Sequence, residues 1–446
     1  PTPLRRRDES RNGKSNSKTI ALIFVSLLLD LLAFTMILPL LPSLLDYYNR
    51  EEGHGNSLYA TLLKAVQGFQ KLTGVPDRFA SVLFGGALGS MYSFLQFLTS
   101  PIVGSLSDAY GRKPMLLICL TGITISHALW SSASTFSLFV LARFIGGLSK
   151  ANVSLSMAVV ADASDEKSRA KGMALIGLAF SVAFIIGPLA GAWFAKNSDI
   201  SMGPWGERPA MYAVFLSLAN IFLVLFFIPE TLPKVKFYIY IDVYVYLTLY
   251  NFDHIFLFNF PRQKRVLSKL GLTYFLYLFI YSGLEFTITF LTHHAFQYTA
   301  MQQGKMFLVI GLIMAVLQGG AARRLGARGA ELAARGSLAL TTPSFLCIAA
   351  RPQAGIMSDI LSKYCVVACS ATAFAVSCMT SMAAGQAPAD ARGAVLGTLR
   401  SLGALARAAG PLLASSVYWC FGAVITYTLG SLIVIIPTVM LFRLKT

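Results

Sequence analysis

Ionisable residues stranded in apolar runs are where this sequence has chemistry to offer. Asp30 stands in Leu27-Leu-Leu-Asp-Leu-Leu-Ala-Phe-Thr-Met-Ile-Leu-Pro39-Leu-Leu-Pro42. Arg143 opens Arg143-Phe-Ile-Gly146-Gly147, in a run that continues to Lys150 and ends at Asp162. Glu285 lies in Tyr281-Ser-Gly-Leu-Glu-Phe286, with His293 and His294 soon after, and Arg400 and Arg407 share Gly397–Pro411. Placing such a group at the centre of a membrane helix costs roughly 2.5–3.5 kcal/mol, so its presence there marks it as a candidate for function. A carboxylate stripped of water holds its proton more tightly unless a cation answers it. Asp30 and Glu285 are therefore the candidates for proton uptake and release. Arg143 is a third, with an architectural pairing to a carbonyl or carboxylate as the alternative. Arg143 and Lys150 are seven residues apart, as are Arg400 and Arg407; seven is nearly two turns, so each pair shares a helix face. Lys150, Arg400 and Arg407 are candidates to line a substrate cavity. Together with Arg143 they outnumber Asp30 and Glu285, and a surplus of fixed positive charge favours an anionic, amphipathic solute. His293 and His294 can titrate near neutral pH, though a helix end also suits a solvated imidazole. His127 is read as a packing residue.

A second group of residues belongs to movement. Gly104-Ser-Leu-Ser-Asp108-Ala-Tyr-Gly111-Arg112-Lys113-Pro114 joins two long apolar runs. Its glycines permit a tight turn, and Asp108 can answer Arg112, Lys113 and a nearby helix N-terminus. Asp162 is expected to relay charge to this loop. Further on, Gly177, Gly187, Pro188 and Gly191 give one helix a small-residue face and a proline that frees a backbone carbonyl. The chain also repeats itself: Arg169…Gly187-Pro188 recurs as Arg392…Gly410-Pro411, offset by 223 positions (410 − 187). A degenerate echo of the loop, Gly319…Arg323…Gly326-Ala-Arg328, lacks the acidic residue.

These residues need membrane helices to hold them. The 446 residues are 55% hydrophobic and only 13% charged, against about 25% charged in ordinary soluble domains. A span needs about 20 mainly apolar residues. Such segments fall near 19–41, 81–104, 114–134, 136–162, 170–195 and 208–228, then 267–292, 303–320, 330–350, 356–383, 394–418 and 422–442. The expectation is an all-α, multi-pass protein of twelve helices in two pseudo-symmetric halves. It has a basic tail over 1–18, a first bundle over 19–228, a central loop over 229–266 and a second bundle over 267–446. Within that loop, 234–262 is atypically aromatic for a polar connection; an interfacial segment, a thirteenth span or translated non-coding sequence all fit it. Basic residues before the first helix and in alternate loops predict both termini on the cytoplasmic side, in the plasma membrane or an internal one. The net charge of +17 is then accounted for by topology and anionic lipid, with no nucleic acid as partner. No cleavable signal is expected before the first run. The six cysteines have no metal-ligand spacing and read as apolar packing residues. No phosphate-binding G-x-x-x-x-G-K-[ST] run is present, so no nucleotide-driven pump is expected; no metal or cofactor is expected, and the spans leave no room for a soluble catalytic domain, so no enzymatic activity is expected.

The 104–114 loop resembles the loop 2–3 signature of the major facilitator superfamily, G-x-L-[SA]-D-x-x-G-R-[RK]-P. Pro229-Glu230-Thr231 resembles that superfamily's helix 6 ending. Asp30 followed by Pro39 and Pro42 is similar to the first helix of bacterial tetracycline/proton antiporters. Arg143…Gly147 resembles the R-x-x-x-G motif of proton-linked members, and Gly177…Gly187-Pro188…Gly191 the antiporter motif of drug/proton exchangers. Ile145–Ser156, Leu291-Thr-His-His, Gln302–Phe307 and Gly397–Pro411 look like an animal branch of the superfamily. That likeness covers most of 20–420, fails at 234–262 and weakens around 321–360. The resemblance implies a monomeric secondary transporter that exports or exchanges amphipathic organic anions by proton-coupled antiport with alternating access. A uniporter, a tetracycline-like cation efflux transporter and a non-transporting scaffold are the alternatives.

Overall fold

The computed structural model describes residues 3–73, 80–163, 166–196, 207–231, 264–316, 327–349, 375–383, 386 and 392–444, and its regular structure there is helical throughout. The helices of the first half are α1 (Pro3–Thr35), α2 (Leu41–Glu52), α3 (Leu58–Thr73), α4 (Ala80–Tyr110), α5 (Arg112–Ser131), α6 (Phe136–Ser149), α7 (Asn152–Asp162), α8 (Glu166–Lys196) and α9 (Glu207–Phe227). Those of the second are α10 (Lys264–Phe296), α11 (Ala300–Val316), α12 (Ala327–Ala349) and α13 (Arg392–Phe442). Among the described residues, nine helices are long and apolar enough to cross a membrane. The aromatic stretch 234–262, the echo at 319–326 and most of the segment expected over 356–383 lie outside the described residues, the last apart from helical 375–383.

Four of the expected spans differ in detail, for local reasons. The first ends at Thr35 rather than near 41, because Pro39 has no N–H to continue the ladder. The chain turns through Met36–Leu40, with Leu40 N bonded to the Ile37 carbonyl at 2.9 Å, and restarts as α2 with Pro42 in its first turn. The span expected over 136–162 is broken at Lys150, whose N–H reaches the Gly147 carbonyl at 3.3 Å in a tightened last turn before α7 begins. The last two spans are joined in one helical run, α13. Its 51 residues are two helices meeting at a kink, since a straight helix of that length would measure about 77 Å at 1.5 Å per residue, more than twice the ~30 Å hydrocarbon core. Gly422, at φ +77°, supplies the left-handed backbone that lets the chain fold back there.

Packing is asymmetric between the two ends of the bundle. One core, with Leu27, Leu31, Met115, Leu120, Leu155, Val159 and Val224, lies wholly within the first half. The other draws Leu45, Tyr48, Phe84 and Phe136 of the first half together with Tyr277, Phe290, Met306, Phe345 and Tyr427 of the second. The halves therefore share a core at the end that carries α2. Outward-facing Phe215, Phe222, Phe226 and Ile436 are exposed, as a lipid-facing surface requires.

The sequence repeat reappears as matched contacts. Thr35 of α1 donates its hydroxyl to the Ala183 carbonyl of α8 at 3.0 Å. Ser282 of α10 donates likewise to the Ala406 carbonyl of α13 at 3.3 Å. The two acceptors are 223 positions apart (406 − 183), the offset that separates Gly187 from Gly410.

Candidate functional site

The break at Lys150 builds the centre of the first half. A side chain at the end of α6 is freed from the regular helical course, and the Lys150 ammonium lies 2.6 Å from Asp30 Oδ2 of α1. Lys150 is 4% exposed and Asp30 1%. The ammonium also sits 4.8 Å from the centroid of Phe34, which stacks on Tyr92 at 5.5 Å. Asp30 is thus a buried carboxylate with a cation on one oxygen, while its Oδ1 has no hydrogen-bond partner among the described residues. The proton candidate and the cavity candidate of the sequence are one ion pair.

Arg143, 8% exposed, has a different environment. Its guanidinium carbon lies 5.5 Å from the ring centres of Trp130 and Phe139 and 5.9 Å from that of Tyr92. Its Nε has no hydrogen-bond partner among the described residues. Cation–π contact with three rings replaces part of the lost hydration, without neutralising the charge. His127 sits beside Trp130 and meets Ser217 Oγ through Nδ1 at 2.7 Å, a partnered residue in the packing of α5 against α9.

In the second half, Glu285 is half-buried on α10, within hydrogen-bonding reach of Tyr281 and electrostatic reach of Arg407 on α13. Arg407 itself is exposed. The side chains of Asp108 and Arg400 lie outside what the structure describes.

At the opposite end from α2, the 104–114 loop is a set of charge contacts. Gly111 adopts φ +101°, open to glycine at little cost, and starts α5. Glu230 then receives the N–H groups of Arg112 and Lys113, one on each carboxylate oxygen, both at 3.0 Å. A carboxylate at a helix N-terminus satisfies orphan donors and complements the helix dipole. A Cβ on Gly111 would collide with that carboxylate. Arg112 Nε reaches Asp162 Oδ2 at 2.9 Å and its Nη1 donates to Ser107 Oγ at 2.6 Å. Lys113 Nζ donates to the Leu225 carbonyl at 2.8 Å. The sequence pointed to Arg112, Lys113, Gly111 and Asp162. It missed the capping role of Glu230, whose only signal was the Pro-Glu-Thr string closing α9. It also missed Asp46, which pairs with His293.

The small residues of α8 set close approaches on two sides. A Cβ on Gly187 would strike Thr35, and one on Gly191 the Met36 backbone. Buried Pro188 offers its carbonyl where Gly304 of α11 comes near, with a Cβ there at 3.0 Å. Gly177 has nothing within 4 Å and Gly104 likewise.

The chain matches the family model of the Major Facilitator Superfamily over residues 23–411. It is 42% identical over 441 residues to human major facilitator superfamily domain-containing protein 10, covering 96% of this chain and 93% of the relative. It is 24% identical over 409 residues to the class C tetracycline resistance protein of Escherichia coli, covering 91% of this chain and 90% of the relative. The crystal structure of the human organic anion transporter MFSD10 (TETRAN) superposes with a TM-score of 0.75 at 40% identity, over 96% of this chain and 99% of that one. With the repeat-related contacts, the charged loop and this breadth of similarity, the chain belongs to the major facilitator superfamily, as a multi-pass membrane transporter rather than an enzyme.

Proposed function

We propose that the chain moves amphipathic organic anions, aromatic carboxylates foremost, in exchange for protons by alternating access. The observation that carries the reading is the charge left over in the first half. Lys150 is answered by Asp30 at 2.6 Å, whereas Arg143 is buried among three aromatic rings and its Nε has no hydrogen-bond partner among the described residues. A desolvated guanidinium framed by π-faces suits a planar carboxylate with an aromatic body. The human relative described as an organic anion transporter supports the same class. Charge bias in the loops supports cytoplasmic termini, which turns the Arg112–Asp162 end toward the cytoplasm and the α2 end away from it. Among the described residues, the core shared between the halves at the α2 end supports a state closed there.

Proton coupling rests on Asp30. A proton on its carboxylate dissolves the ion pair and releases Lys150 as a second cation, so the two protonation states present different charge to a solute. Exchange is favoured by the Gly187-Pro188-Leu-Ala-Gly191 string, which is similar to the motif of drug/proton exchangers. The Asp30–Lys150 pair itself favours a second reading, cotransport, because the released ammonium attracts an anion when the proton is bound.

Anion recognition is tested by binding a fluorescent aromatic carboxylate and its neutral amide to purified protein. A charged hydrogen bond contributes about 1.5–3 kcal/mol, so Arg143→Gln is expected to weaken the carboxylate roughly 10- to 100-fold and leave the amide unchanged. Equal affinity for both compounds in the wild type, or tighter binding of an organic cation, would reject the anion reading.

A further inference from the structure

The end of the bundle that carries α2 is fastened by two consecutive histidines. α10 finishes Leu291-Thr-His293-His294-Ala-Phe296, and both imidazoles cross to the first half. His293 Nε2 lies 2.9 Å from Asp46 Oδ2 of α2, and His294 Nε2 lies 3.1 Å from Ser81 Oγ of α4. One turn earlier, Phe290 occupies the space that Gly85 of α4 leaves free.

The hydrogen bonds of His293 determine how many protons it needs. Its Nδ1 faces the Tyr298 carbonyl at 3.3 Å while Nε2 faces the Asp46 carboxylate. A carbonyl and an ionised carboxylate only accept, and a ring nitrogen facing an acceptor must carry a hydrogen. Both contacts together require the imidazolium. Were the proton carried by Asp46 instead, the pair would still hold it. His294 has no such requirement, because the Ser81 hydroxyl can either donate or accept.

We infer that Asp46 and His293 form a proton-binding site on the seam between the two halves, filled while that end is closed and emptied as it opens. The inference rests on the alternating-access reading in one respect, that this end opens at all. The nearest titratable groups are His294, whose ring centroid lies 5.2 Å from that of His293, and Tyr59 of α3, within electrostatic reach of Asp46. On α2, Arg50 and Glu51 are exposed and Glu52 accepts the Phe136 N–H at 2.7 Å. α4 presents neutral Ser81, and α13 has no charged residue between Arg407 and Arg443. Lys305 of α11 is exposed, and the charges of α12 (Arg328, Glu331, Arg335) all precede its middle. Because the closed state binds the proton, acid favours closure, and raising pH through the imidazole range favours opening.

The test is a distance measurement across the seam in full-length protein reconstituted in lipid. Spin labels go on cysteines placed at exposed Asn49 and Ala295, in a background with the six native cysteines replaced. Between pH 5.5 and 8.5 the longer-distance population is expected to rise at least threefold. His293→Gln and Asp46→Asn, on different helices, should each abolish the change, and His294→Gln should retain it. A distribution that ignores pH in the unmutated seam, or a change that survives both substitutions, overturns the inference. Anion flux measured on the same protein separates the two readings: intact flux with a pH-insensitive seam rejects this site alone, and absent flux rejects the transport reading.

Discussion

Asp30 is conspicuous in the sequence because a carboxylate inside an apolar run has no cheap structural excuse. Its partner was not legible there. Lys150 is 120 positions away, and only the break between α6 and α7 turns its ammonium to α1. The same holds for Arg143, whose aromatic surround comes from three separate helices. The pair makes a prediction at this scale. Removing one member of a buried ion pair costs about 3–5 kcal/mol, since the other is left charged and unanswered. Lys150→Met is therefore expected to lower the melting temperature of the purified protein substantially, and Asp30→Asn combined with Lys150→Met to recover most of the loss. Equal destabilisation by the single and double variants would show that the two side chains act independently.

Among the described elements, long apolar helices were legible to within several residues, because length and hydropathy are local properties. The interruptions were less so. The turn at Met36–Leu40 was foreshadowed by Pro39 and Pro42, but the break at Lys150 has no proline to announce it. α2 and α3 were missed because they are short, mixed in polarity and stabilised by tertiary contacts such as the Tyr48 hydroxyl on the Ala133 carbonyl at 2.8 Å. The glycines of α8 give a prediction that spacing alone does not. Gly187→Ala forces a methyl against Thr35 and is expected to cost about 1–3 kcal/mol, the usual range for overpacking. Gly177→Ala meets open space and should be neutral or slightly stabilising, both read as thermal unfolding in detergent. Comparable losses at the two positions would mean that α8 is not held against α1 by Gly187. Glu230→Gln, which keeps the shape but weakens the charge at the start of α5, is expected to slow transport several-fold while leaving carboxylate binding within twofold, as measured by flux and by equilibrium binding.

For the whole molecule, the repeat was visible as a 223-position offset, and it returns as the Thr35–Ala183 and Ser282–Ala406 hydrogen bonds. What the repeat alone did not contain is which end of the bundle is shut, since that depends on contacts between halves rather than within them. Those contacts run along α4 against α13 and α8 against α11, and α10 adds His293 and His294 against α2 and α4. The account that joins these scales is a two-half carrier whose anion site in the first half is coupled to a proton on Asp30. The most direct test is uptake of a labelled aromatic carboxylate into proteoliposomes, with and without an imposed pH gradient, for the wild type and Asp30→Asn. The account predicts accumulation against the direction of proton flow in the wild type, lost in the variant while downhill exchange persists. Accumulation in the direction of proton flow would select cotransport, and flux that is equal with and without the gradient and unchanged by the substitution would contradict proton coupling altogether.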